Sequence, residues 1–250
     1  MVPELSLSPK STLRLLLVAI TIIILLGIAA ELVARAPWYG QLPGDKTAVR
    51  LLDLNGEGNI PAWLSSSLLL LSSLLAGLIA LIKRASGDRW LCHWVALSFI
   101  FLGLSADEIV QFHEQLVWML QPWVDNRGIL FYRWVAVGLI FVTGFVLTYA
   151  RFFISLPPRT RVRLLLAGAS YVGGALGLEM VGGAYVDSHG HDLWSTVISL
   201  TEESLELVGV VLFIYALLAY MGWCTDGLHV RFKDEPATRG KTPQTDEGTG

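Results

Sequence analysis

Several patterns that mark common classes of soluble protein are missing from this chain. Only 16% of its 250 residues are charged, whereas a soluble domain carries about a quarter. A net charge of −3 without a basic face argues against a nucleic-acid partner. The two cysteines, Cys92 and Cys224, fall at predicted cytoplasmic helix ends, so no disulfide framework is expected. The chain also has no CxxC, Walker-type or GxGxxG pattern, which argues against dithiol redox chemistry and nucleotide binding.

Apolar sequence is what the chain has in excess. Hydrophobic residues make up 54% of it and fall in long uninterrupted runs, which at about 1.5 Å per helical residue cross a hydrocarbon core of roughly 30 Å. The predicted spans are about 13–35, 61–83, 90–118, 131–151, 163–186 and 193–223. Continuous runs favour helices, because barrel strands alternate apolar and polar residues. The predicted fold is therefore an all-α polytopic membrane protein, a bundle of six transmembrane helices.

The distribution of positive charge predicts how this bundle is oriented. If the amino terminus is cytoplasmic, thirteen of the 18 lysines and arginines lie in cytoplasmic segments and five in outer ones. This bias predicts that both termini are cytoplasmic. Residues 1–12 are then a cytoplasmic segment, 13–225 the transmembrane domain, and 226–250 a disordered cytoplasmic tail. Ala34-Arg35-Ala36 resembles a signal-peptide cleavage site, but Pro37 predicts that the first helix is not cleaved.

Ionisable residues inside the spans or at their ends are the strongest functional signal. They are Glu31, Asp107, Glu108, His113, Glu114, Glu179, Glu202, Glu203 and Glu206. A charge at the bilayer centre costs at least a few kcal/mol, so such residues are usually functional. Helical rise places Asp107 roughly 26 Å and Glu179 roughly 22 Å above the inner ends of their helices, and Glu202 roughly 12 Å below the outer end of its own. Acidic groups from several helices are therefore expected in the outer half of the bundle.

Helical phase indicates which of these groups can meet. At about 100° per residue, Glu202 and Glu206 share a face and Glu203 lies close to it. On a straight helix His113 points away from Asp107, so both reach one site only if the third helix kinks or unwinds there. Carboxylates gathered at low dielectric repel one another and need compensation. Arg35 and Arg133 lie at the right level to pair with two of the acids, and protons or a metal ion would have to serve the others. 

Three functions remain open on this basis. The working hypothesis is a membrane-embedded metalloprotein that binds a divalent ion, which could be Fe, Mn, Zn, Mg or Ca. If it is an enzyme, the ion would act on a lipid or another membrane-soluble substrate. Its expected metal ligands are Asp107, Glu108, His113, Glu114, Glu179, Glu202 and Glu206, with Glu203 as general base. The Glu-x-x-His spacing of di-iron bundles is absent. A cation or proton transporter could use the same acids, although no inverted repeat is visible. An assembly or scaffold protein would only pair them with arginine.

A few other residues carry weaker expectations. Gly173-x-x-x-Gly177 would let a neighbouring helix approach closely. His189 and His191 are expected in a solvated outer loop, with an outer metal site as the alternative, and His93 at the inner interface. Tryptophans near span ends predict an interfacial belt. These are Trp63, Trp90, Trp94, Trp134, Trp194 and Trp223.

The acidic segments also resemble a known pattern. The segments are Leu104-Ser105-Ala106-Asp107-Glu108, His113-Glu114, Gly177-Leu178-Glu179 with Gly182-Gly183, and Glu202-Glu203 with Leu205-Glu206 and Gly209. They are similar to a pattern of uncharacterised polytopic proteins of bacteria, over roughly residues 90–215. The resemblance implies a multi-pass protein of the bacterial inner (plasma) membrane, in contact with lipid, and implies no particular activity.

Overall fold

The computed structural model describes residues 8–39 and 46–225, and this part of the chain is helical without strands. Six helical segments are long and apolar enough to cross a membrane. They are Pro9–Ala34, Ile60–Ala85, Leu91–Val110, Trp134–Ser155, Pro158–His189 and Leu193–Thr225. The predicted all-α polytopic fold is therefore confirmed. The predicted tail 226–250 and residues 1–7 of the predicted amino-terminal segment lie outside the described residues.

Several of these segments are accompanied or interrupted by shorter helices. The elements are α1 (Pro9–Ala34), α2 (Thr47–Arg50), α3 (Ile60–Ala85), α4 (Leu91–Val110), α5 (Phe112–Met119), α6 (Trp134–Ser155), α7 (Pro158–Val172), a π-helix (Gly173–Leu178), α8 (Glu179–His189) and α9 (Leu193–Thr225). Most helix ends differ from the predicted spans by a few residues. The half of the bundle that holds the start of α3 and the end of α4 is called the outer half here, following the predicted orientation.

Helix α3 begins at a residue that organises the loop before it. The side chain of Asn59 accepts a hydrogen bond from the backbone N–H of Ala62 at 3.0 Å, and Pro61 occupies the first turn, where no N–H is required. The same side chain donates to the carbonyl oxygens of Asp53 at 2.6 Å and Gly56 at 2.7 Å. One buried amide therefore caps the helix and holds the outer loop in place.

Serine pairs hold α3 against α4. Ser66 and Ser105 each donate to the other's carbonyl oxygen, at 2.8 and 2.9 Å, and Ser73 and Ser98 repeat this pattern at 2.8 and 2.9 Å. Small polar residues allow close helix approach and supply interhelical hydrogen bonds where water is absent. The pairing aligns the outer end of α4, which carries Asp107 and Glu108, with the start of α3.

The packed core lies in the inner half of the bundle and surrounds α9. Leu217, Ile214 and Val211 of α9 are fully buried, as are Trp94 of α4 and Phe152 of α6. Trp94 packs edge-on against Phe152. The prediction that Trp94 belongs to an interfacial belt is therefore wrong, because its ring fills the space between α4, α6 and α9.

Two glycines let α7 and its π-helix lie directly on α9. A Cβ atom at Gly209 would lie 2.6 Å from the backbone nitrogen of Tyr171, and one at Gly174 would lie 2.8 Å from the carbonyl oxygen of Glu202. Nothing lies within 4 Å of such an atom at Gly173 or Gly177, so the predicted close approach at those two residues is wrong. The π-helix has more residues per turn than an α-helix, so it changes which of its residues face α9. A prediction that assumes 3.6 residues per turn therefore assigns the wrong glycines to the contact.

Candidate metal centre and acidic cavity

A cavity of about 850 Å³ occupies the outer half of the bundle. All nine ionisable residues singled out from the sequence line it, and so do Asp53 and Glu57 of the loop before α3. Its carboxylates belong to Glu31, Asp53, Glu57, Asp107, Glu108, Glu114, Glu179, Glu202, Glu203 and Glu206. No lysine or arginine of the described chain lines it. The structure therefore gathers acids from five helices and a loop around one space, and the chemical role predicted for each stays a prediction.

A break between α4 and α5 brings His113 back onto Asp107. Gln111 adopts the left-handed conformation, with φ 61° and ψ 45°, and its N–H donates to the Asp107 carbonyl oxygen at 2.7 Å. The predicted single span 90–118 is therefore wrong beyond Val110. After the turn, the backbone N–H of His113 donates to Asp107 Oδ1 at 3.0 Å, and its Nδ1 lies 2.7 Å from Oδ2. The kink that the sequence required for His113 to join the site is present.

Three side chains at the outer mouth of the cavity can meet around one ion. One ligand atom each from Glu57, His113 and Glu114 lies within 4.8 Å of the others. Because Nδ1 of His113 is engaged by Asp107, Nε2 is the nitrogen left to face the group, and it lies 3.9 Å from Glu114 Oε1. A histidine that donates its second ring nitrogen to a carboxylate is the usual arrangement around protein-bound metals.

The sequence did not predict Glu57 as a residue of this group. It lies outside every apolar run, in a loop rich in Gly and Asp whose acids look like ordinary solvated charges. Its place depends on Asn59, which holds the loop, and on Leu54, whose side chain occupies the space where a Cβ of Gly27 on α1 would lie. The one available signal was the predicted depth, since this loop and the His113-Glu114 pair both belong to the outer side.

The charges of this group shift one another's protonation. Burial raises the pKa of Glu57, and the nearby carboxylate of Glu114 raises it further. For His113, burial opposes the charged form, but the hydrogen bond and charge of Asp107 outweigh it and raise the pKa of the imidazole. Burial, together with Glu179 and Glu202, also raises the pKa of Tyr132. The site therefore concentrates negative potential that favours a cation.

A second group of acids lies deeper in the cavity. The carboxyl groups of Glu179 and Glu202 lie within hydrogen-bonding distance of each other, which requires a shared proton or a cation between them. The indole N–H of Trp134 donates to Glu179 Oε1 at 3.1 Å, and its ring lies 5.3 Å from that of His113. Trp134, expected in the interfacial belt, thus connects the deep acids to the outer group.

The predicted arginine partners account for only one acid. Arg35 pairs with Glu31 at 2.5 Å and also donates to Thr196 of α9. The prediction that Arg133 pairs with an acid is wrong, because its Nε donates to the carbonyl oxygen of Val124 at 2.9 Å. Within the described chain, no lysine or arginine forms an ion pair with any of the deep acids. These are Glu108, Glu179, Glu202, Glu203 and Glu206.

The remaining histidines are arranged for packing or lie at the rim. His189 stacks on Tyr185, with ring centroids 4.6 Å apart, and its Nδ1 lies 2.7 Å from the Ser188 hydroxyl. His191 lines the cavity near its outer end. His93 lies among the rings of Trp90, Tyr149 and Phe152 in the inner half, at the opposite end of α4 from Asp107.

These features define a polytopic helical membrane protein with an acid-lined cavity in the outer half of its bundle. The chain belongs to a family defined by a domain of unknown function, DUF8692, whose family model matches residues 13–221. That match covers nearly the whole transmembrane region, and every residue that lines the cavity lies within it. No curated protein and no solved structure matches the chain.

Proposed function

We propose that this protein is a membrane-embedded metalloprotein that binds a divalent cation through Glu57, His113 and Glu114. The observation that carries the proposal is the orientation of His113 by Asp107, which leaves Nε2 directed at two carboxylates within 4.8 Å. A structural ion pair would need only His113 and Asp107. The additional convergence of Glu57 from another loop is what a cation site requires.

The donor set indicates which ions suit the site. Two carboxylates and one imidazole are a mixed oxygen and nitrogen set, which suits Mn, Fe or Zn better than Ca, whose sites are built from oxygen alone. Three protein ligands leave coordination positions open, as in catalytic rather than structural metal sites. Asp107 is then the residue that orients the imidazole, and the deep acids are not needed as ligands of this ion.

An open coordination position beside a large cavity favours an enzyme acting on a membrane-soluble substrate, such as a lipid. A bound divalent ion polarises a substrate oxygen or lowers the pKa of a water molecule. Glu203, proposed as general base, lines the same cavity and is within electrostatic range of His113 and Glu108. Together with the resemblance of the acidic segments, the six spans support placement in a bacterial inner membrane.

The test is the metal content of the detergent-purified full chain, measured by elemental analysis after equilibration with Mn, Fe or Zn. We expect about one ion per chain, lost in Glu57→Gln and in His113→Ala. Asp107→Asn should retain the ligands but weaken binding by about 10- to 100-fold, because the imidazole loses its orienting carboxylate. Asp125→Asn, an exposed acid on the outer surface, is the matched control and should bind normally.

Three results would contradict the proposal in different ways. Loss of metal in Glu179→Gln and Glu202→Gln, with retention in Glu57→Gln, would show that the ion binds at the deep acids and not at the outer group. Metal-free protein that still moves cations across liposomes would favour the transporter. Variants that change only thermal stability, without any effect on metal content, would favour a scaffold.

A further inference from the structure

The cavity continues from the acids into a long apolar groove between α6 and α7. Its walls are Phe141, Val142, Phe145, Val146, Ala150 and Phe153 from α6 and Leu164, Leu165, Gly168, Ala169 and Val172 from α7. From Phe141 to Phe153 the helical rise gives the groove a length of roughly 18 Å. Phe141, Val146 and Leu165 are each more than half exposed. The groove is therefore open sideways, where a membrane would supply lipid.

Helix α6 stands away from the bundle along this groove and touches it firmly only near its ends. At the outer end a Cβ at Gly138 would lie 2.6 Å from the Leu176 side chain, so the helix meets the π-helix closely. At the inner end Phe152 packs against Trp90 and Trp94. Between these contacts α6 and α7 share almost no backbone contacts. The gap therefore lies between two contact points of α6, is continuous with the acidic cavity at its outer end and is apolar along its length.

The polar end of the same space selects for positive charge. Its carboxylates have no lysine or arginine beside them in the described chain. Glu206 lies at the deep end and accepts no hydrogen bond from any described residue, although it faces the cavity. Its side chain is only partly exposed, and a desolvated carboxylate without a partner is costly unless a ligand supplies one. This cost would be removed by a cationic group that reaches Glu206 and Glu203 from the groove.

We propose that the cavity binds a single-chain amphiphile with a cationic amine head. The ammonium group lies among Glu203, Glu206 and Glu202, and the alkyl chain occupies the groove between α6 and α7. The argument is charge complementarity combined with shape, since an anionic head would meet only like charges and a neutral head would leave the negative charge of the acids uncompensated. The proposal does not depend on the metal centre, whose ligands lie at the outer mouth.

Binding is tested by calorimetric titration of the full chain, held in amphipol, with dodecyltrimethylammonium below its micellar concentration. Dodecanol and dodecyl phosphate serve as neutral and anionic probes of equal chain length. We expect the cationic probe to bind at least about tenfold more tightly than either, because a desolvated charge pair contributes about that factor. Glu206→Gln should weaken its binding by about tenfold.

The groove is tested separately from the acids. A Cβ at Gly168 would meet nothing within 4 Å, so a larger side chain can start there, and Gly168→Phe should occupy the groove and abolish binding of the alkyl chain. Gly144→Phe on α6 is the matched control, because Gly144 also has open space but does not line the cavity. Gly144→Phe should leave binding unchanged. A loss of binding in this control as well would show that the loss in Gly168→Phe is non-specific.

The outcomes distinguish this proposal from the metal site and from other ligands. Binding that persists in His113→Ala and after chelation supports an amphiphile site independent of the metal. Equal binding of dodecanol would overturn the requirement for a cationic head. Binding of dodecyl phosphate only in the presence of a divalent ion would overturn the proposal in favour of a metal-bridged anionic lipid.

Discussion

The two halves of this bundle are built from the same helices but are packed in opposite ways. In the inner half, α9 contributes Leu207 through Met221 to a core in which Trp94 and Phe152 are fully buried. Immediately further out, the same helix carries Glu202, Glu203 and Glu206, which line a cavity of about 850 Å³. A chain that can pack one half so densely has no packing reason to leave the other open. The open outer half is therefore where the proposed metal site and the proposed amphiphile site both lie.

The two halves also differ in how their acidic side chains are paired. At the inner surface Lys83 meets Asp88 at 3.1 Å, and the Asp88 carboxylate also accepts from the backbone N–H of Trp90 at 2.8 Å. In the outer half Glu179 and Glu202 meet each other instead of a cation. The inner pair is thus matched within the chain, and so are Glu31 with Arg35 and Asp107 with His113. The deep acids of the outer half have no such cationic partner among the described residues.

The largest expected effect comes from opening the inner core. Trp94→Ala removes a ring that is 0% exposed and should lower the free energy of unfolding by about 3–5 kcal/mol, because a large buried side chain leaves a cavity. Denaturant unfolding of the detergent-solubilised protein measures this. Trp118→Ala is the matched control, since its ring is 77% exposed. Similar losses for both variants would show that the inner half is not the packed core.

A smaller effect of opposite sign is expected in the outer half. Glu202→Gln replaces one of two acids that otherwise need a shared proton or a cation between them, because the amide can donate to Glu179 directly. It should raise the free energy of unfolding by roughly 0.5–2 kcal/mol, as replacements at functional sites often do. The same denaturation experiment applies. Glu31→Gln makes the same chemical change where Arg35 already supplies the partner, and it should give no gain. A clear loss of stability in Glu202→Gln would mean that this acid is a structural element.

The smallest effect concerns the matched pair at the inner surface and its dependence on pH. Burial would raise the pKa of Asp88, but the Trp90 N–H and Lys83 outweigh it, so the pKa lies below its ordinary 3.8. The folded state is therefore stabilised above that ordinary pKa, and this contribution is lost as the pH falls through the lower folded value. As the pH falls over this range, the free energy of unfolding, measured by denaturant titration, should decrease more for the wild type than for Asp88→Asn. Parallel curves for the two proteins would contradict a stabilising Asp88.

Much of the fold could be read from the sequence, whereas the composition of the site could not. The apolar runs predicted six spans, and the depth of Asp107, Glu179 and Glu202 predicted a common acidic level. The sequence did not reveal the left-handed turn at Gln111, because few residues other than glycine adopt that conformation and only the surrounding contacts stabilise it. It also did not reveal Glu57, whose approach depends on a loop held by Asn59.

By itself, the sequence determined that the chain is a helical membrane protein and that its acids lie toward one end of the helices. Both conclusions follow from local properties, since hydrophobic length and helical rise do not depend on neighbours. Only the tertiary structure decided which acids meet, that Arg133 turns away from them, and that Gly174 and Gly209 rather than Gly173 and Gly177 bring α7 and its π-helix onto α9. These depend on a broken helix, a π-turn and a folded loop, whose geometry arises from contacts between residues distant in the chain.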